Sequence, residues 1–159
     1  MKVEFLINGK KTALNVGPLK ALVDILRDDL AMKGTKKGNS PAEYGCELVF
    51  LNGELVDASL IPAFRVDKGE ILTIEGIKQR KDFPDYERIV REVLKGNDRL
   101  YCAGNIVMLV KALFMEKKNN DIEAVKEALS EVICSEIGFS GIVEGVKRLS
   151  SLRGKRIRG

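Results

Sequence analysis

The sequence predicts an α+β protein: a small sheet curled around one helix, followed by an all-α unit. Three observations carry this. Apolar–polar alternations flank the pair Asn8-Gly9, and again Asn52-Gly53, the pattern of tight hairpins. Between the hairpins, Leu19, Leu22, Val23, Leu26 and Leu30 recur at helical spacing. From about Asp82 onward only helical periodicities remain.

In the first hairpin Val3, Phe5 and Ile7 alternate before the turn, and Thr12, Leu14 and Val16 after it. Pro18 suits the first turn of a helix. The helix that follows keeps Lys20, Asp24, Arg27 and Asp28 off its apolar face, and Gly34 is placed to terminate it. Residues 34–47 show little periodicity and are read as a long loop; such loops inside compact domains are usually functional or disordered. The second hairpin pairs Leu48–Leu51 with Glu54–Val56, and a last strand covers Glu70–Ile74. The charged stretch Ile77 to Lys81 reads as a linker.

Four helices are predicted beyond it. Phe83, Tyr86, Ile89, Val90, Val93 and Leu94 form one face, ended by Gly96. Ile106, Val107, Leu109, Val110, Leu113 and Phe114 form a second, wider one. Asp121 caps a third helix carrying Ile122, Val125, Ala128, Leu129 and Val132. Ile142, Val143, Val146 and Leu149 make a short fourth. The expected domains are therefore 1–77, a sheet domain, and 82–150, a four-helix domain, with a basic tail at 151–159.

Composition narrows the function. The 159 residues contain no His, no Trp and three Cys, and the net charge is +4. Without His there is no Ser-His-Asp triad and no His-ligated zinc. Three Cys are too few for a disulfide scaffold. No apolar run reaches the roughly 18 residues of a membrane helix, and Glu4 and Asn8 interrupt what a signal peptide would keep apolar. The protein reads as cytoplasmic with no membrane association. The tail bearing Arg153, Lys155, Arg156 and Arg158 reads as a solvated end rather than a nucleic-acid contact.

No active site assembles from the residues alone. Asp28-Asp29 fits a solvated helix face. Gly34-x-x-x-Gly38 with Lys36-Lys37 lacks the Gly-Lys-Ser/Thr ending of a phosphate loop. Taken singly, Cys46, Cys102 and Cys134 fit small buried hydrophobes.

Strings along residues 1–149 nevertheless resemble one family. These are Leu26-Arg27-Asp28-Asp29-Leu30; Gly34-Thr35-Lys36-Lys37-Gly38; Leu51-Asn52-Gly53-Glu54-Leu55-Val56 with Leu60-Ile61-Pro62-Ala63 and Leu72-Thr73-Ile74-Glu75-Gly76; and Ile106-Val107-Met108 with Lys111-Ala112-Leu113, Cys134 and Gly138-Phe139-Ser140-Gly141. In that order and spacing they resemble the small iron–sulfur subunit of the molybdenum hydroxylases, the group of xanthine dehydrogenase, aldehyde oxidoreductase and aerobic carbon monoxide dehydrogenase. The resemblance implies a β-grasp, plant-ferredoxin-like domain and a four-helix domain. Each would carry one 2Fe–2S cluster held by four Cys thiolates. It also implies a large molybdopterin-type subunit and a medium FAD-type subunit as partners.

The sequence departs from that pattern at the ligands. The first motif, Cys-x4-Cys-x-x-Cys after Thr-Lys-Lys-Gly, meets Asn39, Tyr44 and Glu47, and its fourth Cys meets Ser59. Cys46 falls one residue before a ligand position. The second motif, Cys-x-x-Cys and later Cys-x-Cys, meets Arg99 and Cys102, then Cys134 and Glu136. Cys102 and Cys134 are thus the residual metal-ligand positions; Asn39, Tyr44, Glu47, Ser59, Arg99 and Glu136 are vacated ones. The expectation is a chain with no cofactor, Tyr44 filling space at the first site and an Arg99–Glu136 ion pair at the second. Without its ligands, loop 34–47 is expected to be more mobile. Three functions stay open: a structural or interaction subunit, non-catalytic alone, of an oxidoreductase complex; an electron-transfer subunit keeping one atypical cluster; or a repurposed binding module.

Overall fold

A computed structural model describes residues 1–39, 47–93 and 103–116, together with positions 123, 127, 143, 144, 147 and 151. The chain divides into two compact units, Met1–Arg80 and Lys81–Gly159.

The first unit is a five-stranded mixed sheet in the order β2-β1-β5-β3-β4. The strands are β1 Lys2–Ile7, β2 Lys10–Asn15, β3 Leu48–Leu51, β4 Glu54–Asp57 and β5 Glu70–Leu72. Both hairpins form as expected. At each turn the Asn and the Gly take positive φ, Asn8 +50° and Gly9 +80°, Asn52 +53° and Gly53 +87°. Their handedness matches the twist of the flanking strands. β1 and β5 run parallel, while β3 runs antiparallel to both β4 and β5.

One face of this sheet carries the core. Val3, Phe5 and Ile7 of β1, Val49 and Leu51 of β3 and Ile71 of β5 meet Leu22, Val23, Ile25 and Leu26. The latter come from α1, Leu22–Asp24, which widens into a π-helical turn over Ile25–Asp29. This helix is shorter than the apolar spacing predicts. Ala21 is extended and bridges Pro62. Leu22 N–H donates to the Ile61 carbonyl at 2.7 Å, and Ala63 N–H to that of Lys20 at 2.9 Å. Pairing with residues 61–63 draws 17–21 out of the helix, so Pro18 does not sit in its first turn and Leu19 is left 79% exposed.

The helix also ends earlier than expected. Ala31 turns left-handed, φ +55°, and Met32 N–H reaches back to the Leu26 carbonyl at 2.7 Å. Gly34 has a different use. A Cβ there would stand 2.5 Å from Ile74 Cγ2 and 2.7 Å from Glu75 Oε1, so glycine permits a close approach of the two segments.

The last strand stops at Leu72, not at Ile74. Thr73 leaves the sheet, and Ile74–Lys78 form a short helix, α2, inside the region read as strand end and linker. Ile74 and Ile77, three apart, are both buried there. Asn8 holds the switch point: its Oδ1 accepts from Thr73 N–H at 2.9 Å and its Nδ2 donates to Thr73 Oγ1 at 3.0 Å.

In the second unit two of the predicted helices are described, α3 Phe83–Val93 and α4 Ala103–Met115. Tyr86 and Val90 are buried on α3, and Ile106 to Leu113 on α4. The Tyr86 and Phe114 rings meet edge-on with centroids 6.3 Å apart. Lys111 is buried on α4, 3.5 Å from Asp82 and with its ammonium 5.5 Å from the Tyr86 ring centroid. The third and fourth helices and the basic tail lie largely outside the described residues.

Candidate functional site

The loop after α1 leads to the first set of resembled ligand positions, and its opening half is tied at four points. Arg27 Nη1 donates to the Thr35 carbonyl at 2.8 Å and to that of Lys33 at 3.4 Å. Glu75 Oε1 accepts from Gly34 N–H at 2.8 Å, while its Oε2 accepts from Thr73 Oγ1 at 2.6 Å. Lys37 donates to Asp24 at 2.6 Å, and this bonded carboxylate raises the Lys37 pKa. Glu47 Oε1 accepts from Gly38 N–H at 2.6 Å. Residues 34–38 thus have side-chain anchors from the α1 segment, from α2 and from Glu47, the residue before β3. Positions 40–46 lie outside the described residues.

Three of the four positions of the first motif are described. Asn39 is exposed, directly after the Gly38 contact. Glu47 is 0% exposed, and its carbonyl accepts from Ala58 N–H at 2.8 Å. Ser59 follows Ala58, and both its N–H and its hydroxyl bond Asp57 Oδ1, at 2.8 and 2.5 Å. Glu47 therefore connects the segments carrying Asn39 and Ser59 on one rim. The donors there are an amide, a carboxylate engaged with Gly38 and a hydroxyl engaged with Asp57. None is the thiolate that holds a 2Fe–2S cluster, so these residues do not fit that group. Among the described residues no group of three or more His, Cys, Asp or Glu side chains is placed to hold a metal ion.

Tyr44 and Cys46 lie outside the described residues, as do Arg99, Cys102, Cys134 and Glu136 of the second motif. Immediately beyond that motif's first half, α4 begins. Its Asn105 is 3% exposed, and among the described residues its Nδ2 has no hydrogen-bond partner, nor does the buried Thr35 Oγ1 of the first unit.

The sequence pattern did not disclose Arg27, Glu75 and Asn8 as anchors. Glu75 meets Gly34 across 41 positions, and no local spacing encodes such a contact. Arg27 lies within a string that carries the family resemblance, but its bonds go to main-chain carbonyls, which leave no pattern in sequence.

A five-stranded mixed sheet packed on one short helix is consistent with the α+β fold of 2Fe–2S ferredoxin-like domains. No protein-family model matches the sequence. The chain is 26% identical over 143 residues to a probable xanthine dehydrogenase subunit of Bacillus subtilis, covering 90% of this chain and 82% of that one. It is 27% identical over 144 residues to the nicotinate dehydrogenase small FeS subunit of Eubacterium barkeri, covering 89% of each. The aldehyde oxidoreductase of Desulfovibrio desulfuricans superposes with a TM-score of 0.82 at 27% identity, covering 96% of this chain and 17% of that one. The chain is thus a homologue of the small iron–sulfur subunits of the xanthine dehydrogenase and aldehyde oxidoreductase family of molybdenum hydroxylases. It spans most of the Bacillus and Eubacterium subunits and about a sixth of the Desulfovibrio chain. Among the described residues no helix is long and apolar enough to cross a membrane.

Proposed function

We propose that this chain is a small subunit of a molybdenum-hydroxylase-type oxidoreductase complex that has lost its cluster wiring and serves a structural or interaction role. It is non-catalytic alone. Residues 1–77 form its ferredoxin-like β-grasp domain and 82–150 its four-helix domain. Its partners are a large molybdopterin-type subunit and a medium FAD-type subunit, and it works in the cytoplasm without a cofactor of its own.

The supporting observation is the first-site rim. At Glu47, where the family places a thiolate, a fully buried carboxylate is committed to a main-chain N–H of its own loop. Its hard carboxylate oxygens, one of them accepting from Gly38 N–H, stand where the resembled pattern has a soft thiolate sulfur. Asn39 and Ser59 offer neutral oxygen and nitrogen donors, a poor match for iron held among sulfides.

The deciding measurement is iron and acid-labile sulfide in anaerobically prepared protein, with the visible spectrum. The proposal expects colourless protein with neither. One cluster per chain, with visible absorbance lost in Cys102→Ser and Cys134→Ser variants, would establish an electron-transfer subunit instead. Co-purification with larger subunits tests the interaction role, and a chain that remains alone when expressed beside them would reject it.

A further inference from the structure

We propose that Glu47 is the clasp of the first-site loop: its carboxylate fixes Gly38 by hydrogen bonding, where the resembled pattern would tie the loop through cluster ligands. The proposal rests on the cluster-free reading for its comparison with that pattern, but the clasp itself is a property of these residues. A carboxylate at 0% exposure is costly to bury unless hydrogen bonds compensate it. The 2.6 Å bond from Gly38 N–H is such a compensation, charge-assisted and short.

Its position gives it leverage. Arg27, Glu75 and Asp24 fix residues 33–37 from the α1 segment and α2. Gly38 is the next residue, and Glu47 fixes it from the edge of β3. The Glu47 carbonyl is held in turn by Ala58 N–H at 2.8 Å, and Ala58 accepts from Val23 N–H of α1 at 3.0 Å. Gly38 and Glu47, on either side of positions 40–46, are thus joined by a hydrogen bond. That bond is built into both the helix and the second hairpin. The resembled pattern would draw cluster ligands from this loop and from beyond the hairpin. Here hydrogen bonds through Glu47 link the same two segments.

The test is amide hydrogen exchange of the full chain by NMR after treatment with a chelator. Gly38 N–H is expected to stay protected in metal-free wild type. In Glu47→Ala its exchange is expected to rise about tenfold or more, with the amides of β1 unchanged. Glu47→Gln, which keeps an acceptor oxygen, should fall between. Because Glu47 is buried and its alanine variant can fail to fold, the wild-type measurement stands by itself. An unprotected Gly38 in folded, metal-free wild type overturns the clasp. Iron analysis of the same sample separates the two ideas. Iron present with Gly38 protected after its removal rejects the cluster-free reading and keeps the clasp; no iron with Gly38 unprotected does the reverse.

Discussion

Gly34 shows how a single missing Cβ sets the geometry of the loop. The chain brings its backbone against Ile74 and against the carboxylate that accepts its own N–H. Gly34→Ala should push Ile74 and Glu75 aside together and destabilise the first unit by about 1–3 kcal/mol, measured by chemical denaturation. A variant as stable as wild type would show that the two segments separate freely. A second residue, Glu4, lies on the face of β1 turned from the core. There a groove of about 460 Å³ is lined by Glu4, Leu6, Lys11, Ala13, Lys68 and Gly69. Bonds from Lys2 first, and then Lys68, hold the Glu4 carboxyl at about 2, against an ordinary 4.5. Because the folded value is the lower one, folding favours the ionised form. Its contribution is complete above about pH 4.5, declines as the pH falls, and is gone below about 2. The group is exposed, so salt should erode the effect. In an NMR titration Lys2→Met should raise the Glu4 pKa more than Lys68→Met; equal or reversed shifts would contradict the order of the two bonds.

At the scale of elements, α1 and the residues around it hold the main departures from local pattern. The hairpins were legible because Asn-Gly turns and strand alternation are short-range signals. Leu19 and Ile74 were misread for a shared reason: partners distant in sequence override the local period there. Residues 61–63 take 20–22 into backbone pairing, and Asn8 captures Thr73 at the point where β5 becomes α2. The same limit divides the candidate site. Asn39, Glu47 and Ser59 were legible through their order in a family pattern, whereas what each side chain now bonds depended on the fold. The end of the α1 segment yields a prediction of its own. Ala31 occupies the left-handed region at φ +55°, where a Cβ is penalised. Ala31→Gly should therefore stabilise the protein by about 0.5–1 kcal/mol, net of glycine's greater unfolded-state entropy. A rise in Tm of about 2–4 °C checks it, and a fall would mean that the Ala31 methyl packs more favourably than its backbone is strained.

For the whole molecule, the question is whether the fold offers the shape of a cluster site at the resembled ligand positions. The sheet order, the loop between α1 and β3 and the re-entry beside Ala58 all serve to bring positions 39, 47 and 59 onto one rim. That arrangement now rests on Arg27, Glu75, Asp24 and Glu47, whose bonds are made by protein atoms alone. A chain carrying Asn39→Cys, Tyr44→Cys, Glu47→Cys and Ser59→Cys places four thiolates at the resembled ligand positions. Reconstituted with iron and sulfide, it should take up one 2Fe–2S cluster and gain visible absorbance. Glu47→Cys also removes the clasp, so the control of the loop should pass to the metal. Gly38 exchange, independent of chelator in wild type, should become chelator-sensitive in the four-cysteine chain. Failure to bind iron by a variant that folds would mean that the rim has closed beyond what four thiolates can reopen. Binding accompanied by chelator-sensitive exchange would show that one scaffold supports either tie, a cluster or a carboxylate, at the same place.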